Sequence, residues 1–297
     1  MRIVVTGRHG QVAQALRERA AGSTTEIILL ARPEIDLTRP NEIEATLVDL
    51  KPDAIVNAAA YTAVDQAESA PELAYTINAE GAAAVARAAA KLGAPIVQLS
   101  TDYVFDGSSD QPYREDAPTG PLGVYGASKL AGERAVADAA RDYAVLRTSW
   151  VYAPFGKNFV RTMLALARQR DEVRVVCDQI GAPTSALDIA DGVLGVVRNL
   201  LAQPARSDLR GIFHMTAEGT ATWAEFAEAI FSASRAAGGP SAKVIPIPTN
   251  EYPTPARRPA NSRLDTSALA AAHGIRLPHW RHSLRPCIER LLAQDAN

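Results

Sequence analysis

Tyr125-Gly-Ala-Ser-Lys129 sets a phenol and an amine four positions apart. On a helix that spacing puts both on one face, about 5–6 Å apart at Cβ. An unperturbed tyrosine titrates near ~10 and is a poor acid at neutral pH. An adjacent ammonium favours the phenolate, so Lys129 is expected to lower that value and make Tyr125 a usable proton donor and acceptor. Upstream, the apolar run Ile96-Val97-Gln98-Leu99 ends in Ser100-Thr101-Asp102, with hydroxyls placed as at the mouth of a parallel sheet. An exposed helix pair could share the same spacing. The catalytic reading therefore leans on a second motif near the N-terminus.

That motif is Thr6-Gly7-Arg-His-Gly10-Gln11-Val12-Ala13, which follows the apolar run Ile3-Val4-Val5 and opens a helical pattern. Gly7 and Gly10 let the backbone approach a pyrophosphate, and the helix N-terminus that follows places N–H groups and partial positive charge against it. The spacing is GxxGxxA, and Ala13 still permits close helix packing. After the second apolar run, Ile27–Leu30, a NAD site would carry an acid for the ribose 2′-hydroxyl. This chain has Ala31-Arg32 instead. Arg32 could pair with a 2′-phosphate or stand solvated; the expectation is NADPH, with NADH also accepted. Asp36 and Leu37 lie where adenine would bind. Asn57-Ala-Ala-Ala60 offers small side chains beside the pyrophosphate and nicotinamide ribose, although packing alone could explain them.

These residues need a scaffold, and the periodicity supplies one. Short apolar runs at 3–5, 27–30, 54–56, 96–99 and 143–147 alternate with helical patterns at Gln11–Ala21, Asn41–Leu50 (capped by Asn41), Pro71–Leu92 and Tyr125–Arg141. The expected fold is α/β, a doubly wound Rossmann-type parallel sheet. After Trp150 the rhythm loosens into helices at Phe159–Arg170, Ala186–Leu201 and Trp223–Ala236, a strand at Gly211–Met215, and two short helices near the end. The proline-punctuated stretch Ile245–Pro259 reads as an ordered loop or linker. Residues 1–150 are expected to bind NAD(P), and 151–297 to form mainly a smaller substrate-binding subdomain, with some elements returning to the main sheet.

Composition narrows the partners. The chain has 297 residues, 47% hydrophobic and 22% charged, which is globular usage. A formal charge of −2 gives no reason to expect nucleic acid or an acidic membrane. The two cysteines, Cys177 and Cys287, lack metal-type spacing and fit a reducing compartment. No apolar run reaches the about 18 residues of a membrane helix, and the opening apolar run is too short for a signal peptide. A cytoplasmic protein is expected. His9 reads as a solvated loop residue, and Trp223 and Trp280 as core or helix anchors.

Four motifs together resemble a known family: Gly7xxGly10xxAla13, Asn57-Ala-Ala-Ala-Tyr-Thr-Ala-Val-Asp65, Ser100-Thr-Asp-Tyr-Val-Phe-Asp-Gly107 and Tyr125-Gly-Ala-Ser-Lys-Leu-Ala-Gly-Glu133. They are similar to the extended short-chain dehydrogenase/reductases and, within them, to the dTDP-4-dehydrorhamnose reductase family. Arg147-Thr-Ser-Trp-Val-Tyr152, Asp178–Thr184, Thr222–Phe226 and Pro253–Leu264 extend the resemblance nearly to the C-terminus. It implies reduction of the C4 keto group of a dTDP-4-keto-6-deoxysugar by NAD(P)H. Tyr125 then matches the catalytic acid, Lys129 its partner on the nicotinamide ribose, and Thr101 the hydroxyl that binds the keto oxygen. Gly10, Gln11 and Val12 match the pyrophosphate loop, Asp36 and Leu37 the adenine side, and Ala60, Tyr61 and Thr62 the nicotinamide ribose. Trp150 and Asp102 match substrate contacts. A related ketosugar reductase, or a non-catalytic NADP-binding regulatory subunit, would share these motifs. Some members carry a magnesium site of glutamates at a dimer interface, the first on helix one. Here that helix has no carboxylate before Glu18, and Ser185-Ala-Leu187 holds no glutamate. No metal is expected, and the chain is expected to be a monomer or weak homodimer.

Overall fold

The structure, a computed structural model, describes residues 1–295. Its N-terminal part runs β1 (Arg2–Thr6), α1 (Gln11–Ala20), β2 (Glu26–Leu30), α2 (Pro40–Asp49), β3 (Ala54–Asn57), α3 (Val64–Ala67), α4 (Pro71–Tyr75), α5 (Ala82–Leu92), β4 (Ile96–Thr101), α6 (Val124–Ala139) and β5 (Tyr143–Thr148). The remainder runs β6 (Val151–Tyr152), α7 (Phe159–Ala167), β7 (Glu172–Val176), β8 (Ile180–Gly181), β9 (Thr184–Ser185), α8 (Ala186–Ala202), β10 (Gly211–His214), β11 (Ala221–Thr222), α9 (Trp223–Ala236), β12 (Lys243–Ile247), α10 (Ser267–His273) and α11 (Trp280–Asp295).

Six parallel strands form the main sheet in the order β10-β5-β4-β3-β1-β2. Alternation along the strands explains the two buried faces. Ile3, Val5, Val56 and Val97 pack on the side of α1 and α8, while Val4, Ile55 and Ile96 pack on the side of α2 and α5. A separate core around Phe226, Phe231, Trp280 and Ile288 holds the C-terminal helices. The strand order reverses between β1 and β3, and a crevice opens there at the carboxyl ends of the strands. A buried polar ladder crosses that edge. Thr6 Oγ1 donates to Asn57 Oδ1 (2.5 Å), and Asn57 Nδ2 donates to Gln98 Oε1 (2.7 Å).

Several expectations are corrected. Pro40, not a capped Asn41, starts α2; proline suits a first helical position because its missing N–H would be unpaired there anyway. The alanine-rich helix over 71–92 is interrupted by a wider π-type turn at Thr76–Gly81. That turn frees the Asn78 side chain to leave the helix, and Gly81 there lies against Leu37. The proline-rich stretch begins in β12, where Pro246 is tolerated because the sheet with β7 has only two strands. The last helix, α11, is 16 residues long, carried past Pro286 by burial of Leu284, Cys287, Ile288 and Leu291.

Helix α6 lies unusually close to the π-type turn: a Cβ on Gly132 would overlap the Asn78 carbonyl. Gly132→Ala should therefore cost on the order of 1–3 kcal/mol, as overpacking does, measured by urea unfolding. Unchanged stability would mean that this contact is loose.

Candidate active site

At the turn from β1 into α1, Gly7 adopts φ +95° and donates its N–H to the Leu30 carbonyl (2.7 Å). Only glycine takes this conformation without strain. Gly10 is the extended N-cap of α1, with no capping side chain and open space where a Cβ would stand. Gln11 and Val12 are the first two helical residues, so their amides lack intrahelical partners. The Gln11 side chain is occupied elsewhere, donating to the Val151 carbonyl and accepting from Asn158. The cradle is therefore made of backbone, as an anion requires. It fits a dinucleotide pyrophosphate.

At the end of β2, Arg32 and Asp36 line a surface cavity with Arg39, Glu42 and Thr46. The Asp36 carboxylate accepts from the amide and hydroxyl of Thr38 (2.9 and 2.8 Å), and these bonds hold its pKa below the ordinary range. Leu37 is buried beneath, against Gly81. The sequence reading missed Arg8, whose guanidinium reaches Glu34 (2.5 Å) and the Leu29 carbonyl at the same end. After β3, Ala60 and Tyr61 are half-buried and Thr62 is exposed. Both backbone groups of Tyr61 are held by the Asn78 side chain, at 2.8 and 3.1 Å. The same amide donates to Ser128 on α6 (2.9 Å).

Tyr125 is the second residue of α6. Glu68 accepts the Val124 amide just before it (2.8 Å), capping the helix where Asp or Ser would more often do so. The Tyr125 ring keeps some exposed surface, but its hydroxyl is enclosed beside that of Thr101, with Tyr103 edge-on at 5.7 Å. The expected lowering of its pKa does not occur. Burial pushes it up to about 12, opposed by the Thr101 hydroxyl and reinforced by the charge of Asp102. The Lys129 ammonium turns instead to the Leu99 carbonyl (2.6 Å). Burial lowers Lys129 to about 8, against the raising effect of Glu133. Asp102 is buried, with Oδ1 accepting from Thr101 (3.0 Å) and Oδ2 unpartnered among the described residues. Thr101, Asp102, Tyr125 and Lys129 thus converge at the end of β4.

Trp150 lies beside the neighbouring strand end, in the strained left-handed region at φ +47°. One face of its indole stacks on Trp223 (3.5 Å, 6°), and Gly181 and Ser262 lie close to it. Across the crevice, Arg258 pairs with Asp65 (2.8 Å), and Asp65 also accepts the Ala256 amide. This clasp ties the 253–259 loop over a recess lined by Val64, Glu68, Tyr103, Tyr125 and Arg257.

The RmlD substrate binding domain family model matches residues 1–293. This chain belongs to the RmlD family. It is 50% identical over 294 residues to dTDP-4-dehydrorhamnose reductase of Sinorhizobium fredii, covering 99% of each chain. A crystal structure of a dTDP-4-dehydrorhamnose reductase from Clostridium acetobutylicum superimposes with TM-score 0.91 at 38% identity, covering 99% of this chain and 100% of that one. Another, from Bacillus anthracis and in complex with NADP, superimposes with TM-score 0.89 at 35% identity, covering 99% of each.

Within this RmlD family member, sequence reasoning missed Asn78, Glu68, Arg8 and Glu133. Only Glu133 left a signal, at i+4 from Lys129 on the same helical face. Asn78 joins the 60–62 loop to the helix that carries Tyr125, so Asn78→Ala strands three hydrogen-bonding groups at once. We expect a loss of about 2–4 kcal/mol in chemical denaturation, with faster amide exchange at Tyr61. Wild-type exchange at Tyr61 would show that the amide clamp is dispensable.

Proposed function

We propose that this chain reduces the C4 keto group of dTDP-4-dehydro-L-rhamnose to give dTDP-L-rhamnose, with NADPH as the preferred reductant and NADH also accepted. The observation that carries the reading is the convergence of the Thr101 and Tyr125 hydroxyls beside buried Lys129. Full-length relatives named for this reaction support it. The bound nicotinamide supplies hydride to the keto carbon. Tyr125 gives its phenolic proton to the oxygen that becomes the alcohol, and Thr101 donates a hydrogen bond to the same atom. Lys129, cationic below about pH 8, holds the nicotinamide ribose.

Gly7, Gly10, Gln11 and Val12 hold the pyrophosphate; Asp36 and Leu37 flank the adenine; Ala60, Tyr61 and Thr62 border the nicotinamide ribose. Arg32 takes the 2′-phosphate. Trp150 and Asp102 bind the sugar nucleotide from the edge of the cofactor part, residues 1–150, and residues 151–297 supply mainly the rest of the substrate part, apart from β10, which returns to the main sheet. The assembly we propose is a monomer or weak homodimer without a bridging metal. Glu18, the first carboxylate of α1, already pairs with Arg290 at 2.6 and 2.8 Å. Among the described residues, no helix is long and apolar enough to cross a membrane.

The direct test is NADPH oxidation by purified protein given dTDP-4-keto-6-deoxyglucose and its epimerase. Turnover should appear and should fall by ~10²–10⁴ in Tyr125→Phe, with NADPH affinity retained. Binding of NADPH without oxidation would favour the regulatory-subunit reading, and turnover only with another ketosugar would reassign the substrate. Arg32→Ala should raise KM for NADPH more than for NADH. An equal change for both would remove Arg32 from the 2′-phosphate site.

A further inference from the structure

The Thr101 hydroxyl has one proton and two lone pairs. The Tyr103 amide donates into one lone pair (3.2 Å). Asp102 Oδ1 lies 3.0 Å away, within reach of a hydrogen bond in either direction, and the Tyr125 phenol is the third neighbour. The state of Asp102 therefore decides what Thr101 can offer a substrate. If Asp102 is ionised, it takes the only Thr101 proton, and Thr101 faces the reacting oxygen with a lone pair. If Asp102 carries a proton on Oδ1, that bond reverses. The second lone pair of Thr101 is then filled, and its own proton is free to point at the keto oxygen.

We propose that Asp102 works as a neutral carboxylic acid that sets the direction of the Thr101 hydroxyl, making it a donor to the keto oxygen, and that ionisation of Asp102 turns this donor away. The proposal rests on the reductase reading above and adds a positioning residue to it. No proton leaves Asp102 during turnover; its role is to donate a hydrogen bond.

The surroundings favour the neutral form. Asp102 is 3% exposed, and its Oδ2 has no hydrogen-bond partner among the described residues, a costly state for a buried anion. No cation faces it from the elements packed on it, which present the phenol of Tyr103 in the turn after β4, the phenol of Tyr125 on α6 and the Ser262 hydroxyl from the C-terminal loop. The Thr101 and Ser262 hydroxyls and the Asp102 and Tyr103 amides favour the anion, but less strongly than burial opposes it. The cations nearby are engaged elsewhere. Arg258, which faces Tyr103, pairs with Asp65, and Lys129 donates to the Leu99 carbonyl beside Glu133. In keeping with this, burial pushes the Asp102 carboxyl up to about 7.

The test is the pH dependence of kcat/KM for the sugar nucleotide at saturating NADPH. In the wild type it should fall about tenfold per pH unit once Asp102 ionises, and more steeply where Lys129 also loses its proton. Asp102→Asn keeps an N–H donor toward Thr101 at every pH, so only the upper fall should remain. Thr101→Val, slower throughout, should also lose the lower fall, because the ionisation of Asp102 reaches the keto oxygen through that hydroxyl. Persistence of the lower fall in either variant would overturn the proposal. A second readout needs no substrate: carboxyl-carbon NMR of aspartate-labelled protein, wild type against Asp102→Asn. One resonance should titrate near neutrality and vanish in the variant; its titration in the ordinary carboxylate range would refute a neutral Asp102. A wild type inactive on every ketosugar would remove the reductase reading, while the NMR titration would still decide the state of Asp102.

Discussion

The buried pair between Glu133 and Arg147 is the constraint on which the site depends. Both side chains are 2% exposed, and the pair is bidentate, at 2.9 and 2.7 Å. Ser100 donates to the same carboxylate (2.5 Å), Phe105 lies under the guanidinium at 5.1 Å, and the third guanidinium nitrogen reaches Glu115 and His214. Burying two ions gains little stability over an apolar contact, but geometry this specific permits only one arrangement of its elements. Here it joins α6 to β4, β5 and β10. Because Tyr125, Lys129 and Glu133 lie at i, i+4 and i+8, fixing Glu133 fixes the roll of α6. The other two side chains must then face the end of β4. His214 fits this network as a neutral ring, since burial and the Arg147 charge depress it to about 3.

The rest of the scaffold sets the height and tilt of the same helix. Glycines at 126 and 132 let α6 touch the backbone at Tyr103 and Asn78, where any Cβ would collide. The π-type turn delivers the Asn78 amide to Tyr61 and Ser128 together, so the helix and the loop after β3 cannot move independently. The Thr6–Asn57–Gln98 ladder ties that loop's strand to its neighbours, and Thr6 also receives the Ala59 amide at 3.2 Å. Small residues around Gly7 and Ala59 therefore serve close approach of backbones as much as room for a ligand.

Strands of the main sheet, the glycine loop and the Tyr125–Lys129 spacing were legible because each leaves a local pattern: an apolar run, a turn or an i,i+4 pair. The π-type turn was not, because an inserted residue hardly disturbs periodicity in a run rich in alanine. The two-residue strands β6, β8, β9 and β11 fall below the length at which alternation can be counted. The sign of the Tyr125 shift was misjudged for a different reason. Spacing shows that an ammonium can reach a phenol, but not that the Leu99 carbonyl already holds it or that burial outweighs its charge. Trp150 was visible as an indole at a strand end; its left-handed backbone and its partner Trp223 depend on contacts more than seventy residues away.

Burial also gives the site a direction. It raises Tyr125 to about 12 and Asp102 to about 7, and it lowers Lys129 to about 8. At neutral pH the phenol is fully protonated and the lysine still mostly so, which leaves the crevice with donors and no strong base. A carbonyl that gains hydride becomes an alkoxide, more basic than a phenolate, so proton transfer from Tyr125 runs downhill even at its raised pKa. Oxidation of the alcohol would need the phenolate, which this environment disfavours. The desolvation that upset the expected tyrosine shift thus keeps Tyr125 in its acid form at neutral pH.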